Sequence, residues 1–313
     1  MSNLNLKTPS ALASNPTQQT IQIATKHPAT LAATVFRPDT VKAAVMIAPA
    51  TGIKRQFYQN FAQYLMEHGY GVISYDNEDI GESMQGDLKH SNASLISWGR
   101  YDMTAVLDRL IQEFPNTTYH LVGHSAGGQL FGLMPNHDKL TSVFNVACSS
   151  GRIRNMAMPY RAKAMWFMDV FIPVSNVLFG YTQSSKIGMG EDLPKNVAKQ
   201  WRDWCNGAGY IKTAFGKTVK THYYNEVNLP AMWVNAPDDD VKFPALWLNA
   251  PDDDIANDKN VADMIRVFPN MQATTQTLKP KDYGLQHIGH MKFFSRQNQL
   301  LWQQTLDWLH QHG

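Results

Sequence analysis

The chain has 313 residues, of which 43% are hydrophobic and 17% are charged. This composition supplies the apolar side chains of a large core and excludes a wholly disordered chain. The 28 basic and 26 acidic residues leave a net charge of only +2. They are spread along the sequence, so the charge pattern predicts neither a nucleic-acid partner nor a polybasic membrane patch.

The predicted elements alternate between strands and helices along the first half of the chain. The polar segment 1–19 lacks the apolar run of a signal peptide, and we predict that it is flexible. Two segments of alternating polarity, 20–24 and 31–36, predict an antiparallel pair at a sheet edge. Continuously apolar runs predict buried strands, and periodic apolar positions predict the helices between them. These are the strands 43–48, 71–76, 119–122 and 141–148, and the helices 55–68, 98–112 and one starting within 129–133.

The alternation stops after residue 149 and resumes after residue 228. The intervening stretch is rich in aromatic residues and Met, and we predict that 151–228 is a helical cap inserted above the carboxyl edge of the sheet. An ordinary second helical layer is the alternative. The core then comprises 20–150 and 229–313, whose later elements are a strand near Leu246, a helix at 261–267, a strand at 273–278 and a final amphipathic helix at 293–310.

A tandem duplication lies just after the predicted cap. Segments 229–241 and 243–255 are near-identical, with the shared pattern Pro-Ala-x-Trp-x-Asn-Ala-Pro-Asp-Asp-Asp, and are offset by 14 residues. Two copies of so short a unit do not make a solenoid. Only one copy can occupy a given strand position, so the sequence leaves open which copy forms the strand.

The pentapeptide Gly123-His124-Ser125-Ala126-Gly127 fits the pattern Gly-x-Ser-x-Gly between a predicted strand and a predicted helix. Such a turn is so tight that only small residues fit two positions either side of the serine, whose strained backbone exposes Oγ at the helix N-terminus. We therefore predict that Ser125 is a nucleophile and that the amide of Ala126 donates to an oxyanion. A small-residue turn that merely packs is the alternative.

A second oxyanion donor is expected on the loop that follows the strand 43–48. That loop reads Ala48-Pro49-Ala50-Thr51-Gly52, and the predicted donor is the amide of Ala50 or of Thr51. A backbone donor leaves no signature in residue type, so a plain turn is the alternative.

The general base and the acid are expected later in the chain, because catalytic residues in this arrangement occur in the order Ser, acid, His. We predict that His290, which lies between Gly289 and Met291, is the base, whereas His287 is the alternative histidine on the same loop. The duplication supplies two acids in matching positions, Asp253 and Asp239. Asp253 is the predicted acid because a helix start follows it, whereas Asp239 leads into the second copy.

Other kinds of site are not predicted. The Pro-Asp-Asp-Asp tracts lack the spacing of a calcium loop, and His287-x-x-His290 is too isolated for a zinc site, so no metal or other cofactor is expected. The two cysteines, Cys148 and Cys205, fit free thiols in a reducing compartment, with one disulfide as the alternative. The apolar stretch 165–181 is interrupted and short for a spanning helix, so we predict a cytoplasmic protein without stable membrane insertion.

Together these residues resemble the α/β-hydrolase superfamily, in particular a bacterial branch close to serine aminopeptidase-like and monoacylglycerol-lipase-like hydrolases. The likeness lies in the elbow and in three further segments: Ser97-Trp98-Gly99-Arg100-Tyr101-Asp102, Gln200-Trp201-Arg202-Asp203-Trp204-Cys205 and Ile288-Gly289-His290-Met291-Lys292-Phe293-Phe294. It implies the α/β-hydrolase fold, with a mostly parallel sheet of the eight-stranded type, helices on both faces and a cap. One departure stands out, since relatives commonly carry Asp-x-Arg-Gly where this chain reads Asp76-Asn77-Glu78-Asp79.

These features predict a serine hydrolase that acts on a small ester or acyl substrate. An aromatic and Met-rich cap favours an apolar acyl or alcohol group, with Trp166, Phe167 and Met168 as candidate pocket residues. Amide or peptide hydrolysis and acyl transfer use the same triad and stay open, as does the oligomeric state. A catalytically silent scaffold that binds a ligand is the alternative from another class.

Overall fold

An eight-stranded sheet forms the centre of the computed structural model, which describes residues 17–236 and 255–313. Its strands are β1 (Thr17–Ala24), β2 (Thr30–Arg37), β3 (Ala43–Ala48), β4 (Tyr70–Tyr75), β5 (Tyr119–His124), β6 (Ser142–Val146), β9 (Pro230–Asn235) and β10 (Gln272–Thr277). The two-residue strands β7 (Tyr181–Thr182) and β8 (Leu193–Pro194) pair separately.

The strand order in the large sheet is β1-β2-β4-β3-β5-β6-β9-β10. The pairs β1–β2 and β2–β4 are antiparallel, whereas every pair from β4–β3 to β9–β10 is parallel. Parallel strands must be joined by crossovers, which place helices on the sheet faces. The predicted fold class, a mostly parallel α/β sheet with an antiparallel edge, is confirmed.

Burial explains why the central strands are continuously apolar. All six residues of β3 and of β4 are buried, because helices cover both faces of the sheet there. Edge strands β1 and β10 are mostly exposed and more polar. The middle of the sheet is therefore rigid and dry, and its carboxyl edge is where polar side chains can be presented.

The helices connect these strands in chain order. They are α1 (Gln59–Glu67), α2 (Leu95–Ser97), α3 (Met103–Glu113), α4 (Ala126–Gln129), α5 (Tyr160–Trp166), α6 (Ile172–Phe179), α7 (Lys195–Asn206), α8 (Asp258–Ile265) and α9 (Gln303–His312). Two π-helical segments, Trp98–Asp102 and Phe167–Phe171, make 95–113 and 160–179 continuous helices. The stretch between β6 and β9 thus contains α5, α6 and α7.

Three element boundaries differ from the sequence prediction. Strand β1 begins at Thr17, inside the segment predicted to be flexible, because Thr17 pairs with Arg37 of β2. The helix after the elbow spans only Ala126–Gln129 and is followed by a short 3-10 turn before Pro135. The predicted helix 293–310 is broken, since Asn298 has non-helical dihedral angles and α9 starts only at Gln303.

The first copy of the duplication forms the strand at this position of the sheet. Strand β9 is Pro230–Asn235, and it pairs with β6 on one side and β10 on the other. The predicted strand near Leu246 lies outside the described residues. The pairing of β9 with β6 and β10 shows that the first copy completes the sheet. The sequences of the two copies are near-identical and therefore could not distinguish them.

Both cysteines are buried, and neither forms a disulfide, as the prediction of thiols required. Cys148 follows β6 and Cys205 lies near the end of α7. Both side chains therefore pack in the hydrophobic core.

Candidate active site

The strained serine of the elbow lies between β5 and α4. Ser125 has φ 48° and ψ −113°, a conformation that L-residues rarely adopt, and it is held by a hydrogen bond from its amide to the carbonyl of Val146 (3.0 Å). Backbone strain of this kind costs about 1–3 kcal/mol and persists only where the surroundings impose it. The strain places Ser125 at the N-terminus of α4, as expected for a nucleophile elbow.

Close approach of the backbone explains the glycines of the elbow. A Cβ on Gly127 would lie 2.1 Å from the carbonyl oxygen of Ala48, and one on Gly123 would lie 2.5 Å from Cα of Gly128. Neither distance is possible for real atoms. The same contact brings the end of β3, where the predicted oxyanion loop begins, against the first turn of α4.

The loop that carries His290 is bonded to the elbow. Nε2 of His124, the residue before Ser125, donates a hydrogen bond to the carbonyl oxygen of His290 (2.8 Å), and the two imidazole rings have centroids 5.4 Å apart. Phe294 anchors the loop further, because its ring packs edge-on against Tyr58 at 5.0 Å. The structure therefore brings the predicted base and the predicted nucleophile to the same edge of the sheet. The alternative, His287, lies on the same loop, where its carbonyl accepts from Asn298 (3.1 Å).

The predicted oxyanion loop presents its two amides differently. The amide of Ala50 donates to Oη of Tyr58 (2.9 Å) and is therefore already engaged. Within residues 17–236 and 255–313, the amides of Thr51 and Ala126 donate no hydrogen bond. These two amides are thus the ones available to an oxyanion.

A buried chain of hydrogen bonds connects the two loops. The amide of Ala50 donates to Oη of Tyr58, and Tyr58 donates to Nδ1 of His124 (2.7 Å). His124 in turn donates from Nε2 to the carbonyl of His290. A carbonyl can only accept, so this last bond fixes the tautomer of His124 and the direction of the whole chain.

Burial fixes the protonation states along this chain. Desolvation, together with the neighbouring His290, lowers the pKa of His124 to about 3, and burial raises the pKa of Tyr58 well above its ordinary value. His124 is therefore neutral and Tyr58 keeps its proton at physiological pH. The sequence pattern predicted no role for either residue. The position of His124 inside the elbow pentapeptide was the only signal, and Tyr58 had none.

The chain matches one protein family over most of its length. The sequence model of the family described as "Serine aminopeptidase, S33" matches residues 39–281. The chain belongs to this family. It is a serine hydrolase with an esterase- and lipase-like α/β-hydrolase fold, as the sequence predicted. No curated protein matches it in sequence.

Solved structures share the fold of this S33-family hydrolase. A thermostable carboxyl esterase from Bacillus coagulans, in complex with glycerol, has 11% identity and a TM-score of 0.62, with 94% of this chain and 98% of that one covered. A soluble variant of monoglyceride lipase from Saccharomyces cerevisiae, bound to a substrate analogue, has 11% identity, a TM-score of 0.62 and 97% coverage of both chains. A Pyrococcus furiosus esterase has 11% identity, a TM-score of 0.59, and coverage of 95% and 92%.

The predicted acid Asp253 and its alternative Asp239 both lie outside the described residues. The two ends that flank them are tied together, because Nδ2 of Asn235 donates to the carbonyl of Ala256 (3.0 Å). Oγ of Ser149, just beyond β6, donates to the carbonyl of Ile255 (2.7 Å). In this S33-family hydrolase Ile255, two residues after Asp253, thus lies just beyond β6, the strand that neighbours β5.

The loop that departs from the common Asp-x-Arg-Gly pattern is held by compensating contacts. Glu78 occupies the position of the arginine; its carboxylate bonds to Nδ1 of His27 (3.0 Å) and accepts from Oγ of Ser97 (3.2 Å). The amide of Glu78 donates to the buried carboxylate of Asp102 (2.8 Å), and its carbonyl accepts from Nε1 of Trp98. Segment 97–102, part of the family likeness, therefore supports this loop.

The three predicted pocket residues have different surroundings. Phe167 and Met168 are buried in the cap, and the Phe167 ring packs edge-on against Trp201 at 5.6 Å. Trp166 is exposed. A cleft of about 450 Å³ between β1 and α3 contains none of the predicted site residues.

Metal ligands do not cluster in the part of the chain that the structure describes. No group of three or more His, Cys, Asp or Glu side chains there could hold a metal ion.

Proposed function

We propose that this hydrolase cleaves a carboxylic ester with an apolar group through Ser125, His290 and Asp253. Oγ of Ser125 attacks the ester carbonyl carbon while His290 takes the hydroxyl proton. The oxyanion that forms accepts hydrogen bonds from the amides of Ala126 and Thr51. The bond to the alcohol oxygen then breaks, and the alcohol leaves with the proton from His290.

The acyl group now bonded to Ser125 is released by water. His290 takes a proton from the water as its oxygen attacks the acyl carbon, and the proton returns to Oγ of Ser125 when the acid leaves. Asp253 orients His290 and stabilises its charged form. Every proton taken in one half-reaction is returned in the same half-reaction, so no cofactor is required.

One observation carries this proposal: the strained Ser125 follows a histidine whose other contact is the backbone of His290. Two loops far apart in sequence thereby meet at the N-terminus of a helix, where backbone amides are available to an anion. Of the two donors predicted on the loop after β3, we favour Thr51, because the amide of Ala50 is bonded to Tyr58.

The apolar preference rests on the cap and on the structural neighbours. Residues between β6 and β9 carry aromatic and Met side chains, including the buried Phe167 and Met168. The neighbouring structures include a carboxyl esterase and a monoglyceride lipase. An ester rather than a charged metabolite is therefore the proposed substrate.

We expect Ser125→Ala to lower ester hydrolysis by roughly 10⁴-fold or more, because both bond-forming steps need Oγ. The measurement is turnover of p-nitrophenyl esters of graded chain length, together with labelling by a fluorophosphonate probe. Labelling should be lost in Ser125→Ala and kept in Ser185→Ala, a serine exposed on the cap. Failure of the folded wild-type protein to take up the probe would contradict the proposal.

Amide hydrolysis is a second candidate, because the matching family is described as a serine aminopeptidase. The same triad can expel an amine if His290 protonates it as it leaves. Aminoacyl-anilides assayed beside the esters distinguish the two. A higher kcat/KM on the anilides than on every ester would favour the peptidase.

The acid can be assigned by replacing each copy separately. We expect Asp253→Asn to lower kcat by roughly 10³–10⁴-fold, because the tautomer of His290 is then unsupported, and Asp239→Asn to change it less than about threefold. Asp253 is favoured because Ile255, two residues later, is bonded to Ser149. A larger loss of kcat in Asp239→Asn than in Asp253→Asn would assign Asp239 as the acid. Equal activity of the two variants would contradict the choice of Asp253.

A further inference from the structure

An apolar face of the cap is left exposed to solvent. The continuous helix 160–179 buries one face, including Phe167 and Ile172, against the rest of the cap. Its other face presents the apolar residues Trp166, Val170, Val174, Val177, Leu178 and Phe179. We call these six residues the cap face. Val177 and Leu178 are 83% and 67% exposed, so this stripe is not part of the core.

The segment that carries this face differs in charge from the rest of the chain. Residues 151–228 contain 11 basic and 5 acidic side chains, an excess of six positive charges, whereas the remaining residues contain 17 basic and 21 acidic ones, an excess of four negative charges. The overall +2 conceals this separation, which is why sequence composition predicted no basic patch. A charge asymmetry of this kind is typical of proteins that meet an anionic surface.

Basic side chains lie at both ends of the cap face. Arg161 and Lys163 are exposed on α5 at one end, and Lys186 is exposed shortly after α6 at the other. Asp169 is the one acidic residue in the helix 160–179, and its carboxylate accepts from Nδ2 of Asn206 (2.8 Å). An apolar stripe bordered by Lys and Arg, with a Trp on it, matches the chemistry of a helix lying in a lipid interface.

The helix is also long and apolar enough to cross a membrane. It has 20 residues, and its most apolar window has a mean hydropathy of 1.2. Its inward face is committed to the cap, however. Oγ of Ser175 donates to the carbonyl of Tyr181 (3.0 Å), and Oγ1 of Thr182 donates to Oδ1 of Asn176 (2.8 Å). Crossing a bilayer would break these bonds and expose the polar atoms to hydrocarbon, so the face fits a surface contact better.

We propose that the cap face docks on an anionic lipid surface, with the apolar stripe in the acyl boundary and Arg161, Lys163 and Lys186 against the headgroups. A second copy of this chain is a poorer occupant, because it would bring two positively charged caps together. The binding itself does not depend on catalysis. Lipid binding would deliver an apolar ester dissolved in the membrane to the active site, and this use of the binding rests on the proposed function.

The test is co-sedimentation of the full-length protein with phospholipid vesicles. We expect binding to vesicles of phosphatidylcholine with about one third phosphatidylglycerol, at least tenfold weaker binding to phosphatidylcholine alone, and loss of the preference at high salt. Ser125→Ala should bind as the wild type does, so a failure of the proposed catalysis leaves this result unchanged.

Three paired variants separate the contributions. Val177→Gln with Leu178→Gln should weaken binding to both kinds of vesicle at least tenfold, whereas Arg161→Gln with Lys163→Gln should mainly remove the anionic preference. The matched control is Val41→Gln with Leu300→Gln, at exposed apolar residues outside the cap, which should bind as the wild type does. Turnover of a short, water-soluble ester, unchanged in all three, verifies folding.

Three results would overturn the proposal. The first is that the wild-type protein does not sediment with anionic vesicles, and the second is that the Val177 and Leu178 variant binds them as well as the control variant does. The third is that sedimentation velocity shows a dimer that the Val177 and Leu178 variant dissociates, which would make a second copy the occupant of the cap face.

Discussion

Tyr58 and His124 occupy the centre of the site although neither is proposed to react. Their side chains, both buried, join the amide of Ala50 to the carbonyl of His290. Because His124 is neutral and Tyr58 keeps its proton, each bond has one possible direction. We infer that these two residues position the proposed oxyanion loop relative to the proposed base.

We expect Tyr58→Phe to lower kcat roughly tenfold on a soluble ester while KM changes little, because both loops lose a fixed contact. The variant also leaves the Ala50 amide and Nδ1 of His124 buried without a partner, at a cost of about 1–3 kcal/mol of stability. Measuring kcat well below the melting temperature of the variant separates the loss of activity from the loss of stability.

The matched control for this prediction is Tyr64→Phe on α1, the helix that begins directly after Tyr58. Oη of Tyr64 makes only a long contact of 3.5 Å with Gln303 near the surface, so both kcat and stability should be nearly unchanged. If Tyr58→Phe lowered the melting temperature but left kcat intact, its hydroxyl would be structural alone.

At the scale of elements, the loop after β4 is held by the start of α3. Asp102, the residue before α3, is fully buried and accepts from the amide of Glu78, whereas its Oδ1 has no partner within the described parts of the chain. Burial raises the pKa of Asp102 well above its ordinary value, with Glu78 and Asp79 adding in the same direction. Asp102 therefore holds a proton where an exposed aspartate has lost it.

This pKa makes stability depend on pH in a definite direction. Above about pH 4 the unfolded chain loses the proton of Asp102 while the folded chain keeps it, so stability falls as pH rises toward the folded pKa. We expect Asp102→Asn, which keeps an acceptor for the Glu78 amide, to remove this loss. Its free energy of unfolding should exceed that of the wild type by about 1–3 kcal/mol at pH 8 and match it near pH 4.

Urea unfolding at the two pH values measures the effect. Asp108→Asn, at an exposed carboxylate on α3, is the control for adding an amide to this helix. A stability difference between Asp102→Asn and the wild type that is the same at both pH values would show that Asp102 does not carry the pH dependence.

At the scale of the whole molecule, the duplication lengthens one connection of the sheet. The connection between Asn235 and Ala256, whose ends are bonded to each other, contains 20 residues. Deleting 14 of them, 237–250, joins Ala236 to Pro251 and restores a single copy, Asn-Ala-Pro-Asp-Asp-Asp-Ile, within a connection of 6 residues. The strand β9 and the contacts of Ile255 use residues outside this deletion.

We expect this deletion to retain ester hydrolysis within about threefold and to raise the free energy of unfolding by about 1 kcal/mol, because a shorter loop costs less entropy to close. Thermal melts and the p-nitrophenyl ester assay check both. As a length control, a 14-residue Gly/Ser replacement of 237–250 should retain activity without the gain in stability. Loss of activity on deletion alone would show that the site needs the longer connection.

The sequence by itself determined the features that are local. The elbow is five consecutive residues, and its two glycines are required because a Cβ on either would make contacts of 2.1–2.5 Å, so the strained Ser125 was predictable. The central strands were predictable too, because burial on both faces demands continuous apolar runs. The family likeness of the His290 segment is the source of the base that we propose, which stays a prediction.

Only the tertiary structure decided what depends on distant parts of the chain. It showed that the first repeat copy forms β9, that the Ala50 amide is engaged by Tyr58, and that His124 contacts His290 over 166 residues of sequence. It also showed that the helix 160–179 leaves an apolar stripe exposed to solvent. The physical reason is that each of these features depends on which residues meet in space. Segments distant in the chain can occupy the same strand position or engage the same hydrogen-bonding group, and the order of residues alone does not say which of them does.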